Sequence, residues 1–132
     1  MKYPKQITGN TGLYYVCYEL SKRGWNVMPT SRNARGTDII AYSLDGRRMI
    51  TIEVKSLKGK GAIWLDPSSL SKYLIICRNL SDVPELFIAR INNTLKSKLV
   101  HKENKDGKIK SWLNISDFKI YRDNWLVIGK GD

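Results

Sequence analysis

Histidine is almost missing from this chain: His101 is the only one, and cysteine occurs twice, as Cys17 and Cys77. Zinc hydrolases and Ser/His/Asp catalysts usually draw a ligand, acid or base from histidine, and His101 lies in the lysine-rich stretch KLVHKEN. We read it as a solvated surface residue. The cysteines sit inside apolar segments without CxxC spacing, which fits buried reduced thiols better than a zinc site or disulfide framework. No run approaches the ~20 apolar residues of a membrane helix, and the opening MKYPKQITGN has no apolar core of the signal-peptide kind. The expectation is a soluble cytoplasmic protein. Acidic groups are scarce as well, 12 Asp and Glu against 23 Lys and Arg, a formal charge of +11. What remains for chemistry is oxygen ligands and lysine.

With 132 residues, 42% of them hydrophobic and 10% aromatic, the composition is that of one globular domain spanning 1–132. Basic groups are spread through both halves but cluster locally: Arg32 and Arg35 in TSRNARG, Lys55, Lys58 and Lys60 in VKSLKGKG, and six lysines from Lys96 to Lys110. Such patches on a folded domain are the footprint of a nucleic-acid binder, since each phosphate neutralised releases counterions. A solvated lysine face is the alternative for the Lys96 to Lys110 stretch, which Glu103 and Asp106 interrupt.

Thr8 to Arg23 reads as a helix, with Leu13, Val16, Cys17 and Leu20 at helical spacing and Gly24 as its stop. Trp25 to Met28, closed by Pro29, reads as a strand. Thr37 to Ser43 and Arg48 to Val54, rich in β-branched residues, flank Asp45-Gly46, a signal for a two-residue type I′ hairpin. Beyond it, Lys58 to Ser71 shows no regular element, with Trp64 and Leu65 as a packing pair. Tyr73 to Cys77 and Leu86 to Ala89 suit buried central strands. The spacing then predicts helices over Asn93 to Lys102 and Ile115 to Val127, and Trp112 and Trp125 read as packing aromatics. The class is α/β (α+β), a central mixed sheet with an N-terminal helix and C-terminal helices.

If Asp45 and Gly46 form the whole loop, every cross-strand pair sums to 91, and Asp38 lies opposite Glu53. Side chains alternate along a strand, so Lys55 projects on the same side as Glu53. Two facing carboxylates repel, and one lysine does not obviously offset burying both. A divalent-cation site explains them; an Asp/Glu/Lys ion-pair network on a solvated sheet face is the other reading.

Gly36-Thr37-Asp38 on one strand and Glu53-Val54-Lys55 on the next, after the helix of TGNTGLYYVCYELSKRGW, resemble the PD-(D/E)xK nuclease superfamily, with its restriction-endonuclease-like and Holliday-junction-resolvase members. The match covers roughly residues 8–56. The resemblance implies a metal-dependent endonuclease in which Asp38 and Glu53 bind Mg²⁺ or Mn²⁺, the Val54 carbonyl is a third oxygen, and Lys55 attends the attacking water. One departure stands out. Many relatives carry a glutamate after the glycine of the first helix, where this chain has Leu13 after Gly12; Glu19 lies six residues on, about 240° around the helix.

The leading expectation is therefore a structure-selective or weakly sequence-selective DNA endonuclease. Arg32, Arg35, Lys58 and Lys60 would position phosphates from the flanking loops, and a homodimer would address two strands. The runner-up is a catalytically inactive module of the same fold that binds DNA or RNA in a defence or repair assembly. A basic protein-interaction domain is a third reading.

Overall fold

The computed structural model describes residues 4–31 and 36–132. Helix α1 (Lys5–Lys22) follows Pro4, a residue with no N–H to lose at a helix start, and ends at Arg23 and Gly24, the latter at φ +90°. It buries Gly12, Val16, Cys17 and Leu20. Strand β1 (Asn26–Pro29) pairs antiparallel with β2 (Ile39–Tyr42), and β2 antiparallel with β3 (Met49–Ser56); β3 then pairs in parallel with β5 (Tyr73–Arg78), and β5 antiparallel with β6 (Glu85–Arg90). The resulting five-stranded mixed sheet has the order β1-β2-β3-β5-β6.

Strand alternation divides the core into two layers. From β5, Tyr73, Ile75 and Cys77 enter a cluster with Val16, Leu20 and Trp25 on the α1 side. Leu74 and Ile76 enter the opposite cluster with Ile63, Leu65, Leu95, Leu113 and Phe118. Every residue of β5 is buried, as expected of a central strand covered on both faces. Both cysteines are free and buried, and burial pushes the Cys77 thiol up to about 12. None of the described helices is long and apolar enough to cross a membrane.

The second layer departs from the pattern that the sequence predicts. It contains a three-stranded antiparallel sheet, β4 (Ile63–Trp64), β8 (Ile109–Leu113) and β7 (Val100–Glu103), in the order β4-β8-β7. The expected helix over Asn93 to Lys102 shrinks to α2 (Asn93–Ser97), capped by the Asn92 side chain accepting from the Leu95 N–H at 2.9 Å, because Val100 onward pairs with β8 instead. His101 is exposed on β7, its Nδ1 2.6 Å from Ser111 Oγ. The helix expected over Ile115 to Val127 is also broken. Only α3 (Ile115–Phe118) is α-helical, followed by 3₁₀ turns at Lys119–Tyr121 and Trp125–Val127; between them Asp123 stands at φ +51° with its N–H bonded to the Leu86 carbonyl.

The β2–β3 hairpin keeps the expected register with a different turn. The pairs Ile39↔Ile52, Ile40↔Thr51, Ala41↔Ile50 and Tyr42↔Met49 all sum to 91. The loop is wider, however: Ser43 N–H bonds the Arg48 carbonyl, the Gly46 N–H bonds the Ser43 carbonyl, and Gly46 alone in the turn has positive φ, +73°. Adding Leu44 and Arg47 symmetrically widens the loop without shifting the strands.

Helix α1 lies close to the sheet at Gly12. A Cβ there would overlap Ser56 Oγ and fall 2.8 Å from Ser56 Cβ, so helix or strand must move to admit one. Gly12→Ala is therefore expected to destabilise the fold by about 1–3 kcal/mol, the usual cost of overpacking. Denaturant unfolding measures this, and Ser56→Gly in the same chain should restore much of the loss; an unchanged midpoint for Gly12→Ala would show that the contact is slack.

Candidate active site

The paired part of β2 stops at Ile39, and the residue before it supplies the first acid. The Asp38 N–H bonds the carbonyl of Ile52, which already pairs with Ile39, and Asp38 Oδ2 accepts the Val54 N–H at 2.7 Å. Asp38 thus does not face Glu53 as the ideal ladder predicts. It reaches past the end of its strand to the backbone beyond Glu53. The two segments are tied further by Thr30, whose N–H bonds the Asp38 carbonyl and whose Oγ1 donates to the Thr37 carbonyl at 2.6 Å.

Glu53 and Lys55 project together from β3, toward the layer of the small sheet. Glu53 is 4% exposed. Its Oε2 lies 3.3 Å from Lys55 Nζ, and its Oε1 accepts from Ser69 Oγ at 2.7 Å. Ser69 is a site residue that the sequence did not reveal, being sixteen positions away in the irregular stretch before β5. Gly36 closes the other side at φ +83°, and a Cβ on it would come within 2.7 Å of Glu53 Oε1 and 3.0 Å of Ser69 Oγ. The glycine before the first acid is thus demanded both by its backbone and by the carboxylate beside it.

Burial pushes the carboxyl groups of Asp38 and Glu53 above their ordinary range. For Asp38 the Val54 N–H and then Lys55 oppose the rise; for Glu53, Lys55 and Ser69 do so, while Asp38 adds to it. The pair therefore carries more negative charge than its surroundings comfortably hold. Asp66, exposed nearby, is held below the usual range by hydrogen bonds from Ser68.

Two clefts meet this cluster. One of about 260 Å³ is lined by Leu13, Asp38, Val54 and Lys55 with residues of α1; the other, about 330 Å³, is lined by Gly36, Glu53, Asp66 and Ser69 among others. Asp38, Glu53, Val54 and Lys55 are thus brought to one end of β3. Lys58 and Lys60 lie exposed on the loop leaving that end, where the Lys58 carbonyl accepts from Ser81. Arg32 and Arg35 lie outside the described residues.

Among the described residues no group of three or more His, Cys, Asp and Glu side chains is gathered for a metal. Two carboxylates remain, with the Val54 carbonyl, which points the same way as its N–H, toward Asp38. Hard oxygen donors with surplus negative charge fit Mg²⁺ or Mn²⁺, which bind through one or two carboxylates and keep several waters.

The architecture is thus a five-stranded mixed sheet with a helix on one face and this cluster at the end of its third strand. Among solved structures, the chain is similar to Hjc, a Holliday junction resolvase from the archaeal hyperthermophile Archaeoglobus fulgidus, with a TM-score of 0.55 and 14% identity over 81% of this chain and 91% of that one. No family model matches the sequence, and no curated protein matches it.

Proposed function

We propose that the protein is a metal-dependent DNA endonuclease that hydrolyses phosphodiester bonds in branched or otherwise structured DNA. The observation that carries this reading is a buried glutamate paired to a lysine at 3.3 Å, beside an aspartate fixed by the backbone of the same strand, in a fold similar to that of a resolvase. Asp38, Glu53 and the Val54 carbonyl would hold the ion, which when bound supplies Lewis-acid stabilisation of phosphate charge and a more acidic water. Lys55 orients or deprotonates the attacking water and offsets charge on the phosphate. Arg32, Arg35, Lys58 and Lys60 hold flanking phosphates electrostatically. Two copies of the chain would serve one strand each.

Leu13 favours a second reading. It lines the cleft of Asp38 where a carboxylate would enrich the site, so the fold would also suit a module that grips DNA or RNA without cutting.

Purified protein incubated with four-way and three-way DNA junctions is expected to nick them with Mg²⁺ or Mn²⁺ and not with chelator. Asp38→Ala should abolish detectable cleavage and retain binding at low salt. Salt-sensitive binding without cleavage under any metal would favour the binding module, and no binding to DNA or RNA at low salt would refute both.

A further inference from the structure

The small sheet carries a surface that the acidic cluster does not use. Trp64 is 55% exposed, whereas its neighbour Leu65 is 2% exposed, so only one of the pair serves the core. The indole meets Trp112 edge-on, with ring centroids 5.3 Å apart and planes at 65°, and Lys110 Nζ lies 5.6 Å from its centroid. The Trp112 contact fixes the ring and the Lys110 ammonium sits over one of its faces, while the 55% exposure leaves part of the ring open to a stacking partner.

Trp64 and Lys110 form the common wall of two clefts. One, of about 460 Å³, runs to Lys55 past Asp66 and Ile109; the other, of about 400 Å³, is bounded by Trp112, Lys102 and Asn104. The β7–β8 hairpin beside them presents Lys102, Lys105, Lys108 and Lys110, all exposed. An exposed flat ring flanked by lysines is the combination that binds unpaired nucleic-acid strands, the ring stacking a base and the amines tracking the backbone. In an intact duplex the base faces are covered by their neighbours, so the ring has nothing to stack on.

We infer that Trp64, with Lys102 and Lys110, binds an unpaired DNA segment and so selects substrates whose strands part beside the scissile phosphate. This rests on the nuclease reading for the position of the cut, since Lys55 shares the first cleft with Trp64. An acidic peptide would engage the lysines but would not require the ring.

The test needs neither metal nor cleavage. Binding is measured with chelator by fluorescence anisotropy, using a blunt duplex, a fork with an unpaired arm, and the same fork with abasic sites in that arm. Native protein is expected to prefer the fork. Trp64→Ala should weaken fork binding by about 5- to 150-fold, the range set by loss of one stacked base, and leave the blunt duplex within about twofold. Abasic sites should cost native protein the same factor and cost Trp64→Ala nothing further. Trp64→Phe, which keeps an aromatic face, should retain most of the preference. Equal native affinity for the intact and abasic forks, or unchanged fork binding by Trp64→Ala, overturns the inference. Fork binding through Trp64 without metal-dependent cutting would refute the nuclease reading alone, and cutting indifferent to Trp64 would refute only this one.

Discussion

Lys55→Ala is expected to slow metal-dependent cleavage of junction DNA by about 10²–10⁴-fold, the range for removing a positioned proton-transfer group, while DNA affinity changes by no more than a few-fold. Among the described residues the amine is the one cation in contact with Glu53, and it also lines both the cleft of Asp38 and the cleft of Trp64. No other described side chain touches all three places. Removing it leaves Glu53 buried without its counter-charge, so the carboxyl, already raised by burial, rises further. A protonated Glu53 is a poor metal ligand. The residual activity of the variant should therefore fall off at higher pH than that of native protein, as pH is lowered. A lysine that merely packed would not move that limb. Lys55→Arg should not restore the rate, because the planar guanidinium cannot take the place of a compact ammonium against the same carboxylate. Single-turnover rates across pH, beside binding measured with chelator, decide the matter; cleavage by Lys55→Ala within tenfold of native would remove the lysine from the chemistry.

How far the sequence carried this site depended on the range of the interactions involved. The β2–β3 register is a local property of two β-rich runs and one turn, and it was legible even though the turn type was not: a symmetric widening from two to four loop residues preserves every pair. The same reasoning placed Glu53 and Lys55 on one side, as their 3.3 Å contact requires. It failed at Asp38, because the ladder ends at Ile39 and the aspartate turns to the Val54 N–H. Ser69 was invisible for a different reason. Its partnership with Glu53 arises from tertiary folding of an irregular segment and leaves no period or motif.

The small sheet shows the limit most clearly. Strand β7 is exposed at every position, so neither a period of two nor a period of 3.6 marks it, and an asparagine cap ahead of Leu95, Leu99 and Val100 suggests a longer helix instead. What decides the strand is Asn104, whose side chain accepts the N–H groups of Asp106 and Lys108, with Gly107 at φ +77° closing the hairpin onto β8. Similarly, the apolar stripe Phe118, Tyr121, Trp125 fits a helix until Asp123 adopts positive φ to bond Leu86. Local pattern proposed these helices; long-range backbone bonding overrode them.

Leu13→Glu is expected to strengthen Mn²⁺ binding at the proposed site. Leu13 is half-buried, packs against the α1-side core and lines the cleft of Asp38, Val54 and Lys55. Glu19, the other acid on α1, is engaged elsewhere, its Oε2 2.7 Å from Arg23 Nη1 and its Oε1 3.7 Å from Lys22 Nζ, so it does not supply the missing charge. A third carboxylate beside two whose protons are already held too tightly must raise repulsion in the metal-free protein. Its melting temperature should therefore drop by several degrees at neutral pH in chelator, helped by the loss of apolar packing. The same charge should tighten Mn²⁺ binding by roughly tenfold, since ligand charge tunes affinity, and saturating metal should then return about 1.4 kcal/mol more stability than it gives the native chain. Asp38→Asn should behave in the opposite way. Because the folded state raises the Asp38 carboxyl, the stability linked to its protonated form is present in acid and lost as pH rises through that raised value. A neutral amide removes the loss, so the metal-free variant should melt a few degrees above native at neutral pH and gain less than native as the pH is lowered, with no response to Mn²⁺. Thermal melts of the three proteins, with and without Mn²⁺ at two pH values, read all of this without a nuclease assay. If Mn²⁺ shifts none of them, the two acids and the lysine form an ion-pair network and the metal has no place here.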